Sequence, residues 1–377
     1  MNSFVNESAS LTGADATSFG LGGRRRLSPQ RLALVNEAAT MWGRVFAGDR
    51  RAALDVQEAL TTSDLFVSAT GDVLDRELLA RYQDLPAVWS QYASRTTVRD
   101  FRPKKMIDLL GGRAALDRVP ELTEYPARDI SANEREISVG KFGGRFAISW
   151  ESIINDDIDQ LRDLPGNLAI GARDTESRTA ASVLAKRGSG NDVLFKSGNN
   201  NLLTGNPTLS INSLSAALTT VGTRKDSQGR PIVVTAAVLV VPPALEVVAN
   251  NVVGALQIKT TDGDQEVTVA NWLARRVTVV VDPWLSVVDT SNTANSTWYL
   301  LPAPTTARPA LAVAFLRGHE QPELRVKADT GQAVGGGQIG AEEGSFDIDD
   351  VQYRVRHVLG SAPIDPIATA MSTGAGS

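Results

Sequence analysis

Chemistry at neutral pH needs nucleophiles, titratable bases or metal ligands at defined spacings, and this chain supplies few. Its 377 residues include no cysteine and two histidines, His319 and His357. Disulfides, thiolate metal sites and cysteine nucleophiles are thereby excluded, and His-based acid–base or metal chemistry is short of parts. Ser149 in ISWE lacks a glycine elbow, and neither histidine lies near it in sequence. The glycine-rich runs GGRRR, LGGR (Leu110–Arg113) and GQAVGGGQIG do not combine a preceding buried strand, a following helix and phosphate-loop spacing. Asp347, Asp349 and Asp350 cluster without the glycine and closing glutamate of an EF-hand, so a polar edge before a strand explains them. Asn155, Asp156, Asp157 and Asp159 suit the start of a helix, by capping and by compensating its dipole. His357 sits in an alternating strand, as a structural residue would. The residues predict no enzyme, no cofactor and no metal site.

Composition describes an ordinary folded chain, 42% hydrophobic and 21% charged, long enough for two or three domains. No apolar run approaches the ~18 residues of a membrane-spanning helix. The segment MNSFVNESASLTG has neither the basic nor the apolar region of a secretory signal. A net charge of −5 argues against bulk attraction to nucleic acid and suits a wall around DNA that does not grip it. Aromatic residues are 6%, and the reading finds no basic stretch interleaved with them.

The informative elements lie between Lys141 and Arg187. KFGGRFAISWESIIND alternates around Phe142, Phe146 and Ile148 like a strand with one wet face. A long polar helix follows, with Asp163 as N-cap and Pro165 near the first turn. Its apolar residues (Leu168, Ala169, Ala172, Ala180, Val183, Leu184) are small and sparse, which predicts a helix lying across a surface. Upstream, residues 1–27 read as a mobile arm. Arg24–Arg26 is either a solvated basic turn or a contact to DNA, scaffold or an acidic neighbour. Helices are expected from Ser28, over Arg51–Leu60, and over Asp75–Tyr82 after a break at Gly71. Arg95–Leu110 and Ile137–Ser149 read as the strands of a long hairpin, with Val98, Phe101 and Met106 facing inward. Its loop carries Arg113, Asp117, Arg118, Glu121 and Glu124. Such a ribbon is marginal in isolation and gains partners for its edges and charges when docked on a neighbouring subunit.

Beyond the helix, strands at Ile232–Val241, Val277–Val281, Thr297–Pro304 and Pro309–Gly318 alternate with helices and predict a compact α/β domain with a small mixed sheet. Leu245, Val248 and Val252 form one helical stripe there. A regular strand through Val351, Tyr353, Val355 and His357 must return to an earlier sheet.

In their order, FAISWESIINDD, VVPPALE, RPALAVAFLRGHEQPEL and VQYRVRHVLGSAPIDP resemble the major capsid proteins of tailed bacteriophages, the HK97-fold shell subunits. The resemblance spans roughly Ser63 to Pro366. It implies an α+β fold with an N-terminal arm (1–94), an extended E-loop hairpin (95–149) and a peripheral domain with a long spine helix (150–207). An α/β axial domain (208–344) and a peripheral closing strand and tail (345–377) complete it. The implied function is self-assembly into an icosahedral shell around double-stranded DNA; the alternative is a bacterial encapsulin-type nanocompartment of the same fold. Implied partners are copies of the chain as pentamers and hexamers, a portal, scaffold or protease, and packaged DNA without sequence-specific contact. No membrane is implied, and the location is the virion, assembled in the host cytoplasm. Arg113, Asp117, Arg118, Glu121 and Glu124 become inter-subunit candidates, and Gly143, Gly144 and Gly188 hinges. Some members crosslink an E-loop lysine to a late asparagine. Lys104, Lys105 and Lys141 are present, but no asparagine follows Asn295, so no crosslink is expected.

Overall fold

A computed structural model describes residues 29–46, 49, 51–52, 55–56, 64–110, 131–149, 158–185, 194–225, 231–232, 236–262, 265–306, 308–327, 331–332, 338–339 and 350–376. In chain order these form helices α1 (Pro29–Phe46) and α2 (Asp64–Asp84), a 3-10 turn (Val88–Gln91), and strands β1 (Ser94–Val98), β2 (Lys104–Leu110), β3 (Ser131–Ile137) and β4 (Gly140–Ser149). Helices α3 (Ile158–Ala185) and α4 (Ile211–Gly222) precede β5 (Ala237–Val241), α5 (Glu246–Gly254), β6 (Gln257–Asp262), β7 (Gln265–Ala270), β8 (Val277–Val281) and α6 (Trp284–Val288). Then come β9 (Trp298–Pro302), β10 (Leu311–Leu316), β11 (Glu323–Val326), β12 (Gly331–Gln332), β13 (Gln338–Ile339), β14 (Asp350–Pro363) and β15 (Ala370–Ser372). The chain divides into two compact units. One comprises Met1–Pro86, Lys141–Arg173 and Arg317–Val358; the other comprises Ala87–Gly140, Asp174–Leu316 and Leu359–Ser377.

In the first unit, α1 buries Val35, Ala38, Trp42 and Val45, a stripe at helical spacing, against Leu74, Leu324 and Tyr353. Helix α2 runs through Gly71, where the sequence suggested a break. A helical glycine costs about 1 kcal/mol, and full burial of Leu74 and Leu78 offsets that several times over. Strand β14 pairs with β11 in the register Glu323↔Arg356 to Val326↔Tyr353. The N–H of Leu324, which that pairing leaves over, donates to the buried carboxylate of Asp75 at 2.9 Å. Phe146 of β4 stacks on Tyr353 with ring centroids 5.4 Å apart.

Helix α3 begins at Ile158, so Pro165 lies inside it and Asp163 is not its cap. The ring removes one i→i−4 hydrogen bond, a cost that burial of Pro165 helps offset. At 1.5 Å per residue its 28 residues span roughly 42 Å. The thin apolar stripe does not lie across a surface throughout. In the second unit Ala180, Ala181, Leu184 and Ala185 sit in the core with Val240, Tyr299 and Phe315. Small side chains serve there by letting neighbours approach closely.

The second unit is built on a mixed sheet ordered β15-β9-β5-β8, parallel between β5 and β8 and antiparallel elsewhere. Alternate residues of β5 feed two cores. Val238 and Val240 join the cluster of α3, whereas Ala237, Leu239 and Val241 join that of α4 and α5. Both faces are dry, as the unbroken apolar run predicted. The expected fourth strand, β10, is not in this sheet: it pairs parallel with β1 and antiparallel with residues 359–363 of β14. The apolar stripe of α5 is also rotated, with Ala249, Val252 and Val253 buried and Val247 and Val248 exposed. Residues 366–376 are knitted in by Arg224, whose guanidinium donates to the carbonyls of Ile367 at 2.9 Å and Thr369 at 2.6 Å.

Across β11 and β14, the Glu323 carboxylate accepts from Arg356 at 2.7 Å and Arg325 at 3.2 Å, and bonds His319. Burial pushes its pKa up, but the bonds and charges of His319 and Arg356 outweigh this and bring it from 4.5 to about 2. A depressed acid contributes stability that is complete above its unfolded value and is lost as pH falls through its folded one. Thermal unfolding should therefore lose stability between pH 4.5 and about 2 in the native chain, and less steeply in Glu323→Gln. Parallel pH profiles would remove Glu323 from the account.

Candidate functional site

The residues able to act in this protein are those that place the ribbon β2–β3. Its strands pair only with each other among the described residues, from Lys104↔Ile137 to Leu110↔Ser131. Seven residues of strand give roughly 23 Å of ribbon. The returning strand expected over Ile137–Ser149 is two strands: β3 completes the ribbon, and β4 pairs with β14. A bend at Ser138–Val139 separates the two pairings.

The root of the ribbon is fixed by two buried acids. Trp89 Nε1 donates to Glu176 Oε2 at 2.8 Å, and the Tyr92 hydroxyl donates to Asp282 Oδ2 at 2.7 Å. Glu176 of α3 and Asp282, just after β8, are both fully buried. The 3-10 turn thus presents two aromatic donors, three residues apart, to carboxylates from two different elements. Asp282 also accepts the N–H of Trp284 at 2.9 Å. Burial pushes the Asp282 pKa up, against the hydrogen bonds from Tyr92 and Trp284. Burial, then the charge and hydrogen bond of Asp282, hold the Tyr92 hydroxyl well above its ordinary value. The root is also closed by backbone: a Cβ on Gly360 would run into the carbonyl oxygen of Ser138. Ser361 Oγ donates to the carbonyl of Thr179 at 2.7 Å, tying β14 to α3.

Of the residues singled out in the sequence, Arg113, Asp117, Arg118, Glu121, Glu124 and Gly188 lie outside the described residues. Gly143 and Gly144 lie in β4. A Cβ on Gly143 would run into the carbonyl oxygen of Val355, whereas Gly144 faces open space. Close approach of β14 therefore explains the first glycine. Lys104, Lys105 and Lys141 are exposed. His357 is 4% exposed, with its ring edge-on to Tyr82 at 5.9 Å. No group of three metal-capable side chains occurs among the described residues. Phe101, expected inward, is 48% exposed, whereas Val98 is buried as expected. Phe101 stands in the turn Arg99–Lys105, a basic run carrying an aromatic residue that the sequence reading passed over. Sequence reasoning also missed Glu176, Asp282, Trp89, Tyr92 and Gly360. Its one available signal was a glutamate on the stripe between Ala172 and Ala180.

Two measurements probe this root. Tyr92→Phe leaves Asp282 Oδ2 without its donor and should cost about 1–3 kcal/mol in urea unfolding. A change within ~0.5 kcal/mol would mean that the bond carries no stability. Gly360→Ala and Gly143→Ala should each destabilise by about 1–3 kcal/mol through backbone displacement, while Gly144→Ala stays within ~0.5 kcal/mol. Equal effects at all three positions would refute the close-approach account.

A family model described as "Phage capsid protein" matches residues 133–372. No curated protein matches. Among solved structures, the SrpI encapsulin of Synechococcus elongatus PCC 7942 is similar at 13% identity and a TM-score of 0.46, over 77% of this chain and 89% of that one. The capsid of a native GTA particle follows at 15% and 0.44, over 76% and 90%. Gordonia phage Cozz gives 15% and 0.41, over 77% and 91%. With its matched region covering well over half of its length, the chain belongs to the phage capsid protein family, as a shell-forming structural protein of the HK97 type.

Proposed function

We propose that this chain is the major capsid protein of a tailed phage, closing as pentamers and hexamers into an icosahedral shell around double-stranded DNA. The reading rests on the family match across residues 133–372. The ribbon supports it: two strands whose outer edges carry no partner among the described residues are marginal alone and satisfied by a neighbouring subunit. In this reading the ribbon is the E-loop, overlapping an adjacent copy through Arg113, Asp117, Arg118, Glu121 and Glu124. Residues 1–94 are the arm, 150–207 and 345–377 the peripheral domain, and 208–344 the axial domain. Gly143, Gly144 and Gly188 are pivots in shell expansion.

The subunit performs no turnover. Its work is the sum of many modest contacts repeated around closed symmetry, each weak enough to correct errors during growth. Portal, scaffold or protease join during assembly in the host cytoplasm, and DNA is enclosed without sequence-specific contact.

Negative-stain microscopy of the overexpressed protein should show closed shells. A population that stays monomeric at high concentration overturns the reading. Mass spectrometry of purified tailed particles should find this chain as the dominant shell component. Finding it instead around a packaged enzyme would favour the nanocompartment.

A further inference from the structure

The turn between β1 and β2 is the most cation-dense exposed stretch among the described residues. Arg99, Arg102, Lys104 and Lys105 face one acid, Asp100, and residues 99–105 are all exposed. Asp100 Oδ1 accepts the N–H of Arg102 at 3.1 Å, so the carboxylate shapes the turn. Lys104 Nζ donates to the carbonyl of Thr97 at 3.2 Å. No ion pair engages Arg99, Arg102 or Lys104 among the described residues. Phe101, 48% exposed at the centre, adds an apolar contact.

The same chain carries the complementary charge. From Ala328 to Tyr353 there is no lysine or arginine, while Asp329, Glu342, Glu343, Asp347, Asp349 and Asp350 supply six carboxylates. Asp350 is buried and holds Gln352, which leaves Glu342, Glu343, Asp347 and Asp349 as the acidic run. A chain whose acids outnumber its bases, at net −5, does not attract polyphosphate in bulk. The local surplus of cations in this turn is better matched by a short acidic segment.

We infer that the Arg99–Lys105 turn docks the Glu342–Asp349 run of a second copy of this chain, at the root of the ribbon. The inference rests on the shell-forming reading and specifies one contact within it. Charge pairs at a rim set register and encounter rate and weaken with salt.

The test uses two full-length variants and their combinations. Arg99→Glu/Arg102→Glu/Lys104→Glu alone, and Glu342→Lys/Glu343→Lys/Asp347→Lys/Asp349→Lys alone, should each raise the concentration needed for assembly about tenfold. Circular dichroism should be unchanged. Mixing the two variants should recover assembly, because every contact between unlike copies is again complementary. If only the charge swap carried within one chain recovers assembly, the contact is intramolecular and the inference falls. It falls equally if the cationic variant assembles normally, whether or not its shells lose retained DNA, or if the mixture does not recover. Failure of the native chain itself to assemble would count against the shell reading instead.

Discussion

Two carboxylates taken out of water set the terms for much of the second unit. Glu176 and Asp282 are buried among aromatic and aliphatic side chains, where an unpaired polar group costs several kcal/mol. Trp89 and Tyr92 relieve that cost by donating to them, and in doing so fix the turn that leads into β1 and the ribbon. Once the turn is set, β1 takes its register from β10 and β10 takes its own from β14. Moving any of these strands would separate a buried acid from its donor. A polar pair inside a core adds less net stability than apolar packing would, but it penalises alternative positions more heavily.

Glycine carries the complementary constraint. At Gly143 and Gly360 the backbone of one strand comes so close to a carbonyl oxygen of another that no side chain fits. The neighbouring Gly144 has room to spare, which shows that the paired glycines of this segment do different work. The polar anchors forbid the root to slide, and the glycines allow it to be close.

Much of this was legible along the chain. The unbroken apolar run of β5 announced a strand dry on both faces, and the capping serines of α4 and the alternation of β14 were equally local signals. What escaped was non-local. Tyr92 and Asp282 are 190 residues apart, and nothing near either one marks the bond. Glu176 looked like one polar residue in a polar helix, because small alanines around it left the buried face too faint to read. Pro165 suggested a helix start because its usual place is the first turn, whereas here tertiary packing holds it in the interior. The strand over Ile137–Ser149 hid a change of partner at Val139, since period-two alternation continues across a bend.

Neither unit is made of one continuous stretch: each gathers three separate segments of the chain. Ser94 Oγ bonds the carbonyl of Leu311 across 217 positions, so chain entropy must be surrendered long before such contacts return anything. Topologies of this kind fold slowly and expose unpaired strands meanwhile. For a molecule made in many copies, ripening of each monomer competes with premature clumping, and crowding of half-finished chains becomes the hazard that governs yield.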